Sequence, residues 1–146
     1  MHRRSALICF LICFSGLLLA GLAASADLPR TPSPAGAKLY FISPQDGETV
    51  AGAVTVRFGL TGMGVAPAGV AAEATGHHHL IVDADLPPLN LPIPKDAVHL
   101  HYGTGHTETV LTLAPGPHTL QLVLGDANHI PHEPPVVSAA IRITVK

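Results

Sequence analysis

Proline does the most to limit what this chain can become. All 14 prolines lie beyond residue 28, and 12 of the 14 glycines join them after residue 26. Proline breaks helix interiors and central strands, and glycine weakens both. What survives between them is a series of short apolar runs with little helical spacing. Such a pattern calls for an all-β domain with many turns.

The first 26 residues follow a different logic. Met1-His2-Arg3-Arg4 is basic, residues 7–22 are apolar, and Ala24-Ser25-Ala26 offers small side chains. This is the layout of a secretory signal peptide cleaved after Ala26. As a retained anchor, an apolar stretch of about 16 residues falls short of the ~20 needed for a helical span. No cysteine follows it as a lipoprotein would require, and no later segment is apolar enough to span a membrane.

Cleavage would leave 120 residues, expected as a flexible leader over 27–38 and one domain over 39–146. It would also remove Cys9 and Cys13, and with them any disulfide, thiolate ligand or cysteine nucleophile. The mature chain holds six basic and ten acidic residues, a net charge of −4. That balance argues against nucleic acid and anionic membranes as partners.

Seven strands are expected. Residues 39–43 end at the turn Pro44-Gln45-Asp46-Gly47. Residues 53–60 alternate, with Val54, Val56 and Phe58 opposite Thr55, Arg57 and Gly59. A Gly/Ala/Pro loop over 61–76, with one helical turn at 70–74, leads to residues 77–84, apolar on both faces as a central strand is. Four prolines exclude 85–96 from a central strand. Residues 97–102 alternate again, 106–113 and 118–124 form a hairpin across Pro115-Gly116-Pro117, and 137–145 close the domain. The fold class is an antiparallel immunoglobulin-like or fibronectin-like β-sandwich without a disulfide.

Histidine is the anomaly of the composition. Nine remain in the mature chain, beside only 16 charged residues. If the strands alternate in direction, all but His118 fall at one end. Side chains two apart share a strand face, so His77 pairs with His79 and His99 with His101. Val98, Leu100 and Tyr102 take the core side of the second strand, which turns His99 and His101 away from it. His129 and His132 flank Pro131 in a loop at the same end.

Neutral imidazole is the commonest ligand for Zn(II) and also suits Cu(II). The expected ligands are His77, His79, His101, His129 and His132. His78, His99, His106, Asp126, Glu133 and Met63 are the candidates for supporting positions, with Glu73 nearby. Binding should weaken as pH falls through ~6.5, where imidazole protonates.

A histidine on a strand edge is more often solvated or hydrogen-bonded than metal-bound. His118 reads as a turn residue. His78, in phase with Leu80 and Val82, reads as an inward group bonded to a loop carbonyl. Met63 reads as a hydrophobic plug and Asp126 as a turn-former. An enzyme is not expected: there is no G-x-S-x-G, no serine placed as a nucleophile, and no Gly-rich loop leading into a helix.

Three stretches resemble a known family: residues 41–47 (FISPQDG), 76–83 (GHHHLIVD) and 124–135 (LGDANHIPHEPP). They are similar to the secreted bacterial proteins grouped as domain of unknown function 4399, over most of 39–146. The resemblance implies a bacterial periplasmic or secreted setting and makes the histidines a family feature. The Ser-Pro-x-Asp-Gly turn is also similar to that of the periplasmic copper-resistance C proteins. Those proteins use a histidine at the mature N-terminus, where cleavage here leaves Asp27. The expected function is buffering or delivery of Cu(II) or Zn(II). Its alternative is a non-catalytic structural or interaction module with an envelope protein as partner.

Overall fold

Alternation of apolar and polar side chains builds the strands in this computed structural model, which describes residues 28–146. The expected signal peptide and both cysteines lie outside the described residues. β1 (Lys38–Ser43) buries Leu39 and Phe41, while β3 (Val54–Thr61) buries Val54, Val56 and Phe58. β9 (Ile141–Val145) buries every second residue. Each such apolar side chain contributes about 1.5–3 kcal/mol when fully removed from water. The remaining strands are β2 (Thr49–Val50), β4 (Gly64–Val65), β5 (Thr75–Val82), β6 (His99–His101), β7 (Glu108–Leu111) and β8 (Gly116–Gly125).

Two sheets face each other. One has the order β1-β3-β7 and the other β2-β9-β8-β5, with β4 and β6 both paired to β5. All pairings are antiparallel except the two-residue contacts β2–β9 and β4–β5. Leu39, Phe58, Leu80, Leu120, Leu122 and Ile143 meet between the sheets. The protein is therefore the expected all-β sandwich, with no helix among the described residues.

β5 is central, and all its residues from Gly76 onward are buried. His78, Leu80 and Val82 face the space between the sheets. His77, His79 and Ile81 face outward yet are covered, because a second apolar cluster of Ile81, Ile93 and Val123 forms on that side. The proline-rich segment 85–96 is its roof. Proline excludes the segment from the ladder, and Ile93 then anchors it over the sheet.

Several expectations give way. β7 and β8 do not form a hairpin, because β7 pairs with β3 in the smaller sheet and the chain crosses the sandwich after Leu111. Residues 70–74 are not helical; Ala74 sits at φ +52°, which stops a helical turn there. The strand expected over 97–102 shortens to His99–His101, and that over 137–145 to Ile141–Val145. Residues 30–33, expected within a flexible leader, are bonded to the loop after β8. Glu133 N–H donates to the Thr31 carbonyl (3.0 Å) and Ser33 N–H to the Glu133 carbonyl (3.1 Å). Lys38 already belongs to β1.

Candidate metal centre

The period of a strand places His77 and His79 on one face of β5, and strand register brings the third ring to them. His101 of β6 stands directly opposite His79. Gly125 of β8 stands opposite His77 on the other flank. The fourth ring comes from the loop after β8, which Asp126 organises as a side-chain turn. Asp126 Oδ1 accepts from the N–H groups of Asn128 (2.8 Å) and Ile130 (3.0 Å), and its carbonyl accepts from His129 N–H (3.0 Å). Within that turn His129 takes φ +65°, and its carbonyl receives the N–H of Ile93 (2.8 Å).

One nitrogen each of His77, His79, His101 and His129 lies within 4.8 Å of the other three. His77 Nε2 is 3.0 Å from His79 Nε2 and 3.1 Å from His129 Nδ1. An imidazole nitrogen has a single in-plane valence, either one N–H or one lone pair. His77 Nε2 can therefore form a linear hydrogen bond with only one of its two neighbours. A cation among the nitrogens would accept a lone pair from every ring. Tetrahedral coordination at 2.0–2.1 Å separates ligand nitrogens by about 3.3 Å, so the rings need only small shifts to close on an ion.

Four ring nitrogens among the described residues are buried without a hydrogen-bond partner: His77 Nδ1, His79 Nδ1 and His101 Nε2 in the cluster, and His78 Nε2 on the core side of β5.

Three glycines make room for histidine rings. A Cβ on Gly125 would lie 3.0 Å from His79 Nε2, and one on Gly103 would lie 2.4 Å from His101 Nε2. A Cβ on Gly76 would lie 2.9 Å from His132 Cε1.

Burial, followed by the neighbouring rings of His129 and His101, lowers the pKa of His77 to about 4. Asp126 acts in the opposite sense on His77. Burial and then the other cluster rings lower His79 to about 2, and burial, His129 and Lys95 lower His101. These three rings are neutral at pH 7, with lone pairs free to ligate. The expected weakening of binding through pH 6.5 therefore shifts to more acidic pH. Over the cluster opens a cavity of about 230 Å³, lined by His79, Ile93, Lys95, His101 and His129.

The other expected residues go elsewhere. His132 is fully buried but turns under the sheet, with Nε2 3.1 Å from the Thr75 carbonyl and Nδ1 3.4 Å from that of Leu124. It staples the loop to β5 and β8 and is not among the four gathered rings. His78 bonds the His106 carbonyl (3.1 Å) and packs on Phe58, as its inward phase required. His99 bonds Asp96 (2.9 Å), and His106 bonds Thr104 (2.7 Å). His118, on the far side of the sheet pairing, holds Asp83 and the Ala114 carbonyl.

Met63 packs against the core as a plug. Glu133 pairs with Arg30, and Glu73 lines a separate cavity beside Thr31. Asp126 is a support, holding His129 through its backbone. Ile93, Lys95 and the three glycines escaped the sequence, since only strand register and loop packing put them beside the rings.

The sequence pattern described as "Domain of unknown function (DUF4399)" matches residues 56–146. No protein of curated function matches the chain. Among solved structures, the fibronectin(III)-like modules of Clostridium thermocellum CbhA align at 10% identity and TM-score 0.37, covering 75% of this chain and 45% of that one. The PKD domain of human KIAA0319 aligns at 14% identity and TM-score 0.39, covering 86% and 92%. The likeness to copper-resistance C proteins finds no support in these matches.

Proposed function

The chain belongs to the family of the DUF4399 domain, whose description carries no activity, and we propose its function from the site: binding of one divalent transition-metal ion, Cu(II) or Zn(II), by His77, His79, His101 and His129. The supporting observation is four imidazole nitrogens within 4.8 Å of one another. The donor set is all nitrogen, which suits metals of intermediate softness and gives no preference to Cu(I). It also fits an exported protein, as residues 1–26 suggest, because imidazoles survive an oxidising compartment where paired thiols would form disulfides. We take the role to be buffering or delivery, without catalysis.

A purely structural role suits the other five histidines among the described residues, each of which bonds a backbone carbonyl, a carboxylate or a hydroxyl. It leaves unexplained why four rings from three separate elements gather, with His77 Nε2 facing two other ring nitrogens when it can bond only one.

Calorimetric titration of untagged mature protein with Cu(II) and Zn(II) tests the reading. One ion should bind per chain. A His77→Ala/His129→Ala variant should lose the tight phase, and His118→Ala should retain it. Binding no tighter than that of scattered surface histidines would overturn the assignment.

A further inference from the structure

The mouth of the cluster has a chemistry of its own. The four gathered side chains are neutral ligands, so a divalent ion held there keeps both positive charges. The neighbouring acids are held in hydrogen bonds of their own and are not among the gathered donors. Asp126 spends Oδ1 on two backbone N–H groups and Oδ2 on the Thr31 hydroxyl (2.7 Å). Asp96 is held by His99 Nδ1 and by the N–H groups of Val98 and His99. On the solvent side stands a cation, Lys95, in the wall of a cavity of about 230 Å³ that His79, His101 and His129 also line.

We infer that the mouth between Lys95 and the His79–His101–His129 edge is a binding site for a small anion, which completes the coordination of the metal and pairs with the Lys95 ammonium.

This inference rests on the metal reading above. Several features favour an anion over a neutral or cationic ligand. An ion with four nitrogen donors accepts a further ligand by moving to five-coordination, as Zn(II) does in reacting sites and tetragonal Cu(II) allows. A dication held by four neutral rings beside an ammonium, in a recess walled on one side by Ile93, attracts negative charge more strongly than a site in bulk water. The recess, at about 230 Å³, holds roughly seven or eight water-sized volumes, taking about 30 Å³ for each. That admits a halide, a pseudohalide or a short carboxylate.

Azide is a suitable probe, since it gives a charge-transfer band on Cu(II). The mature protein loaded with one equivalent of Cu(II) should develop that band saturably, and acetate should displace it. Lys95→Gln should weaken azide binding about fivefold or more while Cu(II) affinity stays the same or rises slightly. Lys95→Arg should restore most of the azide affinity. Cu(II) bound with no azide band at saturating anion would overturn the anion site and leave the metal reading standing. No Cu(II) bound at all would overturn the metal reading itself. Equal azide affinity in wild type and Lys95→Gln would remove Lys95 from the site.

Discussion

At the scale of single residues, two backbone positions matter as much as the four gathered rings. His129 occupies the left-handed region at φ +65°, where a side-chain-bearing residue carries about 1 kcal/mol or more of strain. The strain aims the ring at His77. In metal-free protein, His129→Gly should be more stable than His129→Ala by about 1 kcal/mol, because only glycine adopts that conformation freely. Both variants should lose metal affinity, and urea denaturation beside calorimetry checks the two halves. Gly103 works by what it lacks. Its Cβ would come 2.3 Å from His101 Cε1, the far end of a side chain that can rotate away. Gly103→Ala should therefore cost the fold little and expel His101 from the cluster. Metal affinity should fall about tenfold or more, the range seen when a group that orients a ligand is removed. Unchanged affinity would show that the ring finds its place without the cavity.

At the scale of elements, β5 carries the burden. It buries three consecutive histidines, two outward and one inward. Folded, His77 and His78 have pKa values lowered to about 4 and His79 to about 2, burial being the largest cause in each. In the unfolded chain all three return to about 6.5. The unfolded state thus binds protons more tightly, and the stability these groups confer is complete above pH 6.5. It declines as pH falls toward 4 for His77 and His78, and further for His79. Each adds a slope of about 1.4 kcal/mol per pH unit within its window. His118, raised by the Ala114 carbonyl and Asp83, acts in the opposite sense, but it is one partly buried group against three fully buried ones. Metal-free protein should therefore take up about three protons on unfolding near pH 5, measurable as the pH dependence of urea stability. Stability that stays flat between pH 7 and 5 would contradict this. β5 was also the most legible element. Its unbroken apolar run marked a central strand, and two-residue periodicity separated His77 and His79 from His78. Parity also turned His101 to that outer face, but the register that sets it opposite His79, and His99 opposite Ile81, is not readable from parity. His132 was misplaced because Asn128-His129-Ile130-Pro131-His132 has no periodicity from which a direction can be read. Side-chain bonding by Asp126 and the pull of two carbonyls send its two rings to opposite tasks. The expected β7–β8 hairpin failed for a related reason. A Pro-Gly-Pro turn specifies a reversal of the chain but not the sheet to which it returns.

At the scale of the whole molecule, the segment before β1 becomes part of the centre. Its composition is that of a linker, and nothing in its sequence reveals that its partners lie about a hundred residues away. Arg30 Nε donates to the Pro131 carbonyl (3.0 Å), Nη2 donates to that of His132, and the guanidinium pairs with Glu133. The Thr31 hydroxyl holds the carboxylate of Asp126 (2.7 Å). The loop bearing His129 is thus gripped by this strap on one side and by Ile93 on the other. Two strands set the other three rings, so His129 is the one whose ordering a bound ion would otherwise have to supply. A fixed loop lowers that entropic cost and tightens binding without touching the ion. Arg30→Ala should speed hydrogen exchange over residues 126–133 in metal-free protein and weaken metal binding about three- to tenfold. Added metal should slow that exchange again. The decisive comparison is a double-mutant cycle. If the strap acts through His129 alone, Arg30→Ala should have no further effect on metal affinity once His129 is alanine. Additive losses in the double variant would mean that the strap supports the sandwich as a whole, with no particular hold on the ligand.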